Sequence, residues 1–326
     1  MTRSNAFSKG PEASSHAPRV VLLAGPTAVG KTSLSLELAK RLSGEIVNAD
    51  SMQVYRYMDI GTAKPSAAER SAIAHHLIDV AAPDEPFDAA MYLDLARPVI
   101  DRIISRGNVP IVVGGTGLYM KVLTRGICSG PPADSRIKEE LSREEESSGL
   151  GELYERLSRI DPDAASRIHP HDRQRIHRAL EVFRLTGIPI SSHQKSHGFE
   201  EAILPAVKVF VFREREELYT RINSRVEEMM ARGFDGEVKR LLEMGYGPDL
   251  KPMQSLGYRQ MALHLLGRLS REDALYQMKR ETRRYAKRQL TWFRGDPEFR
   301  WFPVQDFESI LEWIVAETQK DRMLRE

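Results

Sequence analysis

Gly25-Pro26-Thr27-Ala28-Val29-Gly30-Lys31-Thr32 places two glycines with four residues between them and ends in Lys-Thr. That is the pattern of a loop whose backbone N–H groups cradle phosphate. Lys31 adds a mobile positive charge, and the Thr32 hydroxyl suits a Mg²⁺ carried by the phosphate. The chemistry implied is binding of a di- or triphosphate; the bland alternative is a tight strand–helix turn. Asp50 heads a second polar run, Asp50-Ser51-Met52-Gln53. A carboxylate repels phosphate, so Asp50 suits holding Mg²⁺ or accepting a proton from a nucleophile that approaches the phosphate compound. In the bland alternative Asp50 only caps the turn into Ser51.

The elements around these residues agree with a phosphate site. Val20-Val21-Leu22-Leu23-Ala24 reads as a buried parallel strand and Ser33–Lys40 has helical spacing. Strand, loop and helix N-terminus therefore aim N–H groups and the positive end of a helix at one point. Glu45–Ala49 reads as a second strand, which puts Asp50 at a carboxyl end, the rim where ligands lie in an open α/β sheet. His75–Val80 is expected as a third strand, Asp88–Arg106 as a helix stopped by Gly107, and Val109–Val113 as a strand that ends in Gly114-Gly115-Thr116-Gly117. A helix follows over Leu118–Arg125. Alternation of this kind predicts an α/β fold, a P-loop parallel sheet with helices on both faces.

Composition shifts at Ser129-Gly130-Pro131-Pro132, and from Asp134 to about Gly187 the chain is charged and helical. Val207–Phe212 reads as a returning strand. Helices are expected over Glu214–Arg232, Phe234–Met244, Ser255–Leu266 and from Ser270 to about Phe293. The expected organisation is a tail without fixed structure over 1–18, an α/β core over 19–129 and 201–320, and a helical insertion over 130–200. No apolar run approaches the roughly 20 residues that span a bilayer, and residues 1–18 lack the apolar segment of a signal peptide. A cytoplasmic, monomeric protein without membrane contact is expected. The single cysteine, Cys128, excludes an intrachain disulfide and a cysteine-based zinc site. His75-His76 and His169-Pro170-His171 lack the spacing of a metal site and read as structural.

A net charge of +2 says little about partners, but its distribution says more. Lys279–Arg294 carries seven cationic residues against one acid, with Tyr285, Trp292 and Phe293 interleaved. Phosphate-backbone binding is the natural use of such a helix, since each neutralised phosphate releases counterions; a merely solvated basic face is the alternative. Arg173, Gln174, Arg175, His177 and Arg178 form a second basic set, with Arg175 and Arg178 on one helix face. Arg221 and Arg225, four apart, reach either the phosphate site or acids of their own helix.

Three functions compete on these residues alone. A metabolite kinase uses the P-loop with Asp50 as anchor or base. A nucleotide switch needs an acid at the end of a second buried strand, where this chain has Gly-Gly-Thr. A transferase with a diphosphate leaving group and a nucleic-acid acceptor uses both the P-loop and the basic helices.

The assembled motifs resemble the tRNA dimethylallyltransferase (tRNA isopentenyltransferase) family. The matching stretches are the P-loop (25–32), Asp-Ser-Met-Gln-Val-Tyr (50–55), Met-Asp-Ile-Gly-Thr-Ala-Lys-Pro (58–65), His-His-Leu-Ile-Asp (75–79) and Gly-Gly-Thr-Gly-Leu-Tyr (114–119). Gln-Arg-Ile-His-Arg-Ala-Leu-Glu-Val (174–182), Gly-Tyr-Arg-Gln (257–260) and Ala-Lys-Arg-Gln-Leu-Thr-Trp-Phe-Arg (286–294) continue them in the family's order.

The resemblance implies transfer of a dimethylallyl group from dimethylallyl diphosphate to the exocyclic amine of the adenosine just 3′ of the anticodon in tRNA. Mg²⁺ is implied as cofactor, as are a P-loop that holds pyrophosphate and a channel that admits the flipped adenine. Asp50 becomes the general base, Thr116 a second active-site hydroxyl and Arg225 a diphosphate contact. Asp50, Ser51, Met52 and Gln53 face the adenosine, with Gln53 offering an amide donor and acceptor. Lys138, Gln174, Arg175, Ile176, His177, Arg178, Gly257, Tyr258, Arg259, Arg283, Arg284, Lys287, Arg288 and Gln289 match stretches that grip the anticodon stem-loop. Tyr57 stands where many members carry Gly and Arg173 where many carry Pro. One cysteine leaves no ligands for the zinc finger of some eukaryotic members, so a bacterial type is expected.

Overall fold

The computed structural model describes residues 20–127, 130–131, 133–197 and 204–323. The tail expected over 1–18 and Cys128 lie outside the described residues. Elements follow in the order β1 Val20–Ala24, α1 Lys31–Leu42, β2 Gly44–Ala49, α2 Ala67–Ala72, β3 His75–His76, α3 Ala89–Ser105, β4 Val109–Gly114 and α4 Gly117–Arg125. Then come α5 Ser135–Ile160, α6 Pro162–Ala165, α7 Arg173–Thr186 and α8 Ile190–His197. The chain closes with β5 Ala206–Phe212, α9 Arg215–Ala231, α10 Phe234–Glu243, α11 Tyr258–Leu265, α12 Arg271–Arg294, β6 Arg300–Pro303 and α13 Phe307–Met323.

The six strands form one parallel sheet in the order β3-β2-β4-β1-β5-β6. Every residue of β1 is buried, as a parallel strand covered on both faces requires. Its core joins Val21 and Leu23 to Leu34 and Leu38 of α1, Val209 and Val211 of β5, Leu218 and Ile222 of α9 and Ile310 and Ile314 of α13. The helical pairs recur every four residues, the period that keeps one stripe against the sheet.

Chain contacts divide the molecule at 124/125 and again at 203/204. The regular elements among the described residues of the segment between are all helices, with their own core of Ile137, Leu141, Leu153, Leu157, Ile176 and Leu180. Its first helix is interrupted at Gly149, where φ is 83°. No helix among the described residues is long and apolar enough to cross a membrane.

The third strand is a correction. Only His75 and His76 pair with β2, because Leu77 and Asp79 adopt left-handed backbone at φ 61° and 60°, which ends the extended run expected to Val80. The helix expected from Ser255 begins at Tyr258, after a 3₁₀ turn over Pro252–Gln254 and a left-handed Gly257 (φ 86°). Sequence periodicity missed α2, α13 and the edge strand β6, whose four residues end in a proline that an edge position tolerates.

Candidate active site

Register brings the chemistry-bearing residues together. Ala24 of β1 and Ala49 of β2 both pair with Gly114 of β4, so three strands end level. A Cβ on Gly114 would lie 2.1 Å from the Ala49 carbonyl oxygen, and only glycine permits that approach. The P-loop, Asp50 and Thr116 leave these ends within two residues, on one rim of the sheet. Lys31, Thr32, Ser35, Asn48, Asp50, Gln53 and His75 line one cleft there.

The P-loop is drawn tight by its surroundings. Gly30 (φ 109°) precedes α1, whose N-terminus carries no side-chain cap and no acid in its first turn. Its first N–H groups and the positive end of its dipole are thus directed to an anion. Arg213 Nε donates to the Val29 carbonyl (2.8 Å) and Arg221 Nε to the Ala28 carbonyl (3.0 Å). Lys31 Nζ turns back onto the carbonyls of Gly25 (2.8 Å) and Pro26 (2.9 Å). Burial lowers the Lys31 pKa to about 8, opposed by the Asp50 carboxylate and aided by Arg225. Burial likewise lowers that of Arg225, whose guanidinium stands 3.5 Å from Thr27 Oγ1 and makes no ion pair among the described residues. Two half-buried cations without a paired carboxylate make a site that an anion would satisfy.

Asp50 sits in a turn built by Asn48. Asn48 is buried in β2; its Oδ1 accepts from the Asp50 N–H (3.0 Å), and its Nδ2 donates to the carbonyls of Asp50 (3.1 Å) and Leu77 (3.0 Å). Asp50 Oδ1 accepts from Met52 N–H (2.9 Å). Thr116 Oγ1 accepts from Ser51 N–H (3.0 Å) and donates to Ser51 Oγ (3.3 Å), joining the two loops. Tyr285 and Tyr119 are held protonated, by burial first; the field of Asp50 adds to that at both, after that of Tyr55 at Tyr119. His75 is held neutral by burial, with Nδ1 against the Ile73 carbonyl (2.8 Å). Sequence reasoning missed Asn48, although a polar side chain inside a buried strand was a visible signal.

Four expected RNA contacts are corrected by burial. Gln289 is interior: its Oε1 accepts from Thr27 N–H (2.8 Å) and its Nε2 donates to the Gly115 carbonyl (3.0 Å). It braces the P-loop against the Thr116 loop, and it removes the Thr27 amide from the donors a phosphate can use. Tyr258 is 1% exposed and donates its hydroxyl to Glu237 (2.6 Å), Gly257 is buried beside it, and Ile176 lies in the helical unit's core. Gln53 is corrected in part: its Nε2 donates to the carbonyls of Thr62 (3.1 Å) and Ala63 (3.3 Å), so its donor end is engaged.

Other residues of the set remain outward. Arg284, Lys287, Arg288, Thr291 and Trp292 line an open groove of about 430 Å³ along α12, while Arg283 is braced on Asn223 (2.7 Å) and the Tyr219 ring. Arg259 is exposed. In the helical unit Lys138, Gln174 and Arg175 are exposed, whereas His177 bonds Glu145 (2.6 Å) and Arg178 is held by Glu181 (2.9 Å) and the Pro131 carbonyl (2.6 Å).

Among the described residues no three His, Cys, Asp or Glu side chains cluster as metal ligands. The Thr32 hydroxyl in that cleft fits a Mg²⁺ held mainly by diphosphate oxygens and water, the habit of that ion.

The IPP transferase family model matches residues 53–296. A tRNA dimethylallyltransferase of Syntrophobacter fumaroxidans is 61% identical over 299 residues, 92% of this chain and 87% of that protein. One from Desulfosudis oleivorans is 52% identical over 87% of this chain and 90% of its own length. Among solved structures, a tRNA isopentenylpyrophosphate transferase of Bacillus halodurans superposes with a TM-score of 0.71 at 41% identity, covering 94% of this chain and 99% of its own. A eukaryotic dimethylallyltransferase acting on tRNA gives 0.72 at 29% identity, over 95% of this chain and 77% of its own. With the family's model spanning three quarters of its length and such relatives along nearly all of it, this chain belongs to the IPP transferase family.

Proposed function

We propose that this protein transfers a dimethylallyl group from dimethylallyl diphosphate to the N6 amine of the adenosine 3′-adjacent to the anticodon in tRNA, releasing diphosphate. The observation that carries it is the placement of one carboxylate, Asp50, with two half-buried cations, Lys31 and Arg225, that make no ion pair among the described residues, at a single rim. An adenine amine is a poor nucleophile because its lone pair is delocalised into the ring. As its nitrogen bonds the allylic carbon, Asp50 accepts the N6 proton. The carbon–oxygen bond breaks, and its electron pair leaves on the diphosphate. Lys31, Arg225 and the uncapped α1 N–H groups stabilise that growing charge. Thr116, tied to Ser51, holds the Asp50 loop beside the P-loop. A Mg²⁺ on the diphosphate, held by Thr32, would supply further charge neutralisation. The tRNA names of relatives that match most of this chain support an RNA acceptor, and a tRNA acceptor fits a cytoplasmic protein.

Labelled dimethylallyl diphosphate, Mg²⁺ and an adenosine-bearing anticodon stem-loop test the reaction, with ATP in parallel. Label in the RNA that vanishes when the adenosine becomes guanosine supports it; phosphate transfer from ATP to a metabolite returns the chain to the kinases.

The outward residues of α12 are the proposed grip on the stem-loop, together with Arg259, Lys138, Gln174 and Arg175. Arg284→Glu with Arg288→Glu is expected to raise the KM for RNA about 30-fold or more and to lower the salt slope of binding by about 2, with the KM for the allylic diphosphate unchanged. Steady-state kinetics at several salt concentrations measure both; an unmoved RNA constant would mean a merely solvated helix.

Lys31 sets a pH dependence. With its pKa at about 8 in the free protein, the KM for the allylic diphosphate is flat below that pH and rises above it as the ammonium discharges. Lys31→Arg, charged throughout, removes the break. A break that survives in Lys31→Arg assigns it to another group.

A further inference from the structure

Glu237 is a carboxylate at the start of α10 and only 2% exposed. It makes no ion pair among the described residues. Its Oε2 accepts from the N–H groups of Asp59 (2.9 Å) and Ile60 (2.7 Å). Its Oε1 accepts from Gly61 N–H (3.1 Å) and from the Tyr258 hydroxyl (2.6 Å). Three successive backbone amides thus wrap one anion, an arrangement whose charge-assisted bonds are strong. The loop also lies hard against the helices, for a Cβ on Gly61 would meet Phe234 at 2.4 Å and Tyr258 at 2.5 Å. From its other side Lys64, buried, bonds Asp59 (2.8 Å) and Asp79 (2.6 Å).

The same loop holds Gln53. Its next two carbonyls, Thr62 and Ala63, both face the Gln53 amide. Carbonyl oxygens only accept, so they demand the NH₂ end, and chemistry alone assigns the flip. Gln53 therefore has its Oε1, a pure acceptor, to offer a ligand in the cleft it lines. An acceptor suits the N6 amine of adenine and repels a carbonyl at the same ring position.

We infer that Glu237, with Tyr258, is a positioning residue for acceptor choice: it anchors loop 59–63, whose carbonyls lock the Gln53 amide with its oxygen presented to the adenine amine. The inference rests on the proposed adenine role of Gln53. Loosening the anchor frees the amide to rotate, so that it presents its NH₂ to a 6-carbonyl base as readily as its oxygen to a 6-amine.

The test uses full-length Glu237→Gln, Tyr258→Phe and Gln53→Ala. Each is assayed for transfer to an adenosine stem-loop and for inhibition by the same stem-loop carrying inosine at that position. Glu237→Gln is expected to raise the stem-loop KM about tenfold and to erase most of the preference for adenosine over inosine, with the KM for dimethylallyl diphosphate unmoved. Tyr258→Phe, which removes one bond of four and keeps its ring, does the same by about threefold and carries the test if the first variant fails to fold. A merely structural role lowers the active fraction and the melting temperature but moves neither the KM split nor the base preference, and that result overturns the inference. If Gln53→Ala shifts the base preference and the anchor variants do not, the anchoring alone is wrong. If Gln53→Ala leaves the preference intact, the adenine role of Gln53 falls and takes the anchoring with it.

Discussion

Asp50→Asn lowers the rate of prenyl transfer by about 10²–10⁴-fold and leaves pyrophosphate binding within about twofold, the loss expected when a general base is removed. Asparagine is the informative replacement because its side-chain oxygen still accepts from Met52 N–H, so the turn that carries the residue is kept. Alanine removes both the base and the turn, and it is expected to abolish transfer outright. Binding survives because the carboxylate opposes an anion: it acts on Lys31 and Arg225 by favouring their charged forms, not by contacting phosphate. Single-turnover transfer and pyrophosphate calorimetry near neutral pH separate the two effects. Normal turnover in Asp50→Asn would remove the base role, and a large loss of pyrophosphate affinity would make Asp50 a metal anchor first.

Lys31→Met is expected to move stability and activity in opposite directions. In the ligand-free protein the half-buried ammonium bonds only carbonyls, and its pKa of about 8 against 10.5 corresponds to a net cost of the charged form on the order of 3 kcal/mol. Methionine relieves that cost but strands the carbonyls of Gly25 and Pro26, so a net gain of about 1 kcal/mol is expected. The sign with pH follows from the unfolded chain holding the proton longer. The wild-type penalty is complete below about pH 8 and fades as pH rises toward 10.5, so the variant's advantage fades over the same span. Activity goes the other way. Loss of a cation proposed to stabilise the departing charge lowers kcat/KM for dimethylallyl diphosphate about 10²–10³-fold. Thermal melts without ligand across the pH range, beside steady-state kinetics, measure both. A variant that melts lower at every pH would show that the carbonyl bonds outweigh the buried charge.

Arg225 resembles Lys31, a half-buried cation that makes no ion pair among the described residues and that the proposed diphosphate would satisfy. Such strain is tolerated at a site whose ligand removes it.

The parts of the proposed phosphate site were legible along the chain because they are local. Strand, loop, Lys31 and helix N-terminus are contiguous, and Asp50 follows its strand directly. Residues 75–80 were legible in composition but not in conformation, since left-handed backbone at Leu77 and Asp79 answers to hydrogen bonds from elsewhere, such as Asn48 to the Leu77 carbonyl. The basic helix α12 was legible as a helix and as basic, yet its side chains divide. Arg284, Lys287 and Arg288 face outward, while Gln289 reaches inward to Thr27 and Gly115. Charge and spacing do not tell these apart, because which face is buried depends on what packs there.

By itself the sequence determined a parallel α/β sheet with a phosphate loop, a carboxylate at a strand's carboxyl end and the family to which these motifs point. Those features follow from periodicity and local chemistry, which act over a few residues. Only the tertiary structure decided that Gly114 levels three strands, that Asn48 builds the Asp50 turn, that Arg213, Arg221 and Gln289 brace the P-loop, and that Glu237 holds the loop that holds Gln53. Each of these joins residues distant in sequence, and the desolvation of a polar group depends on every neighbour it meets.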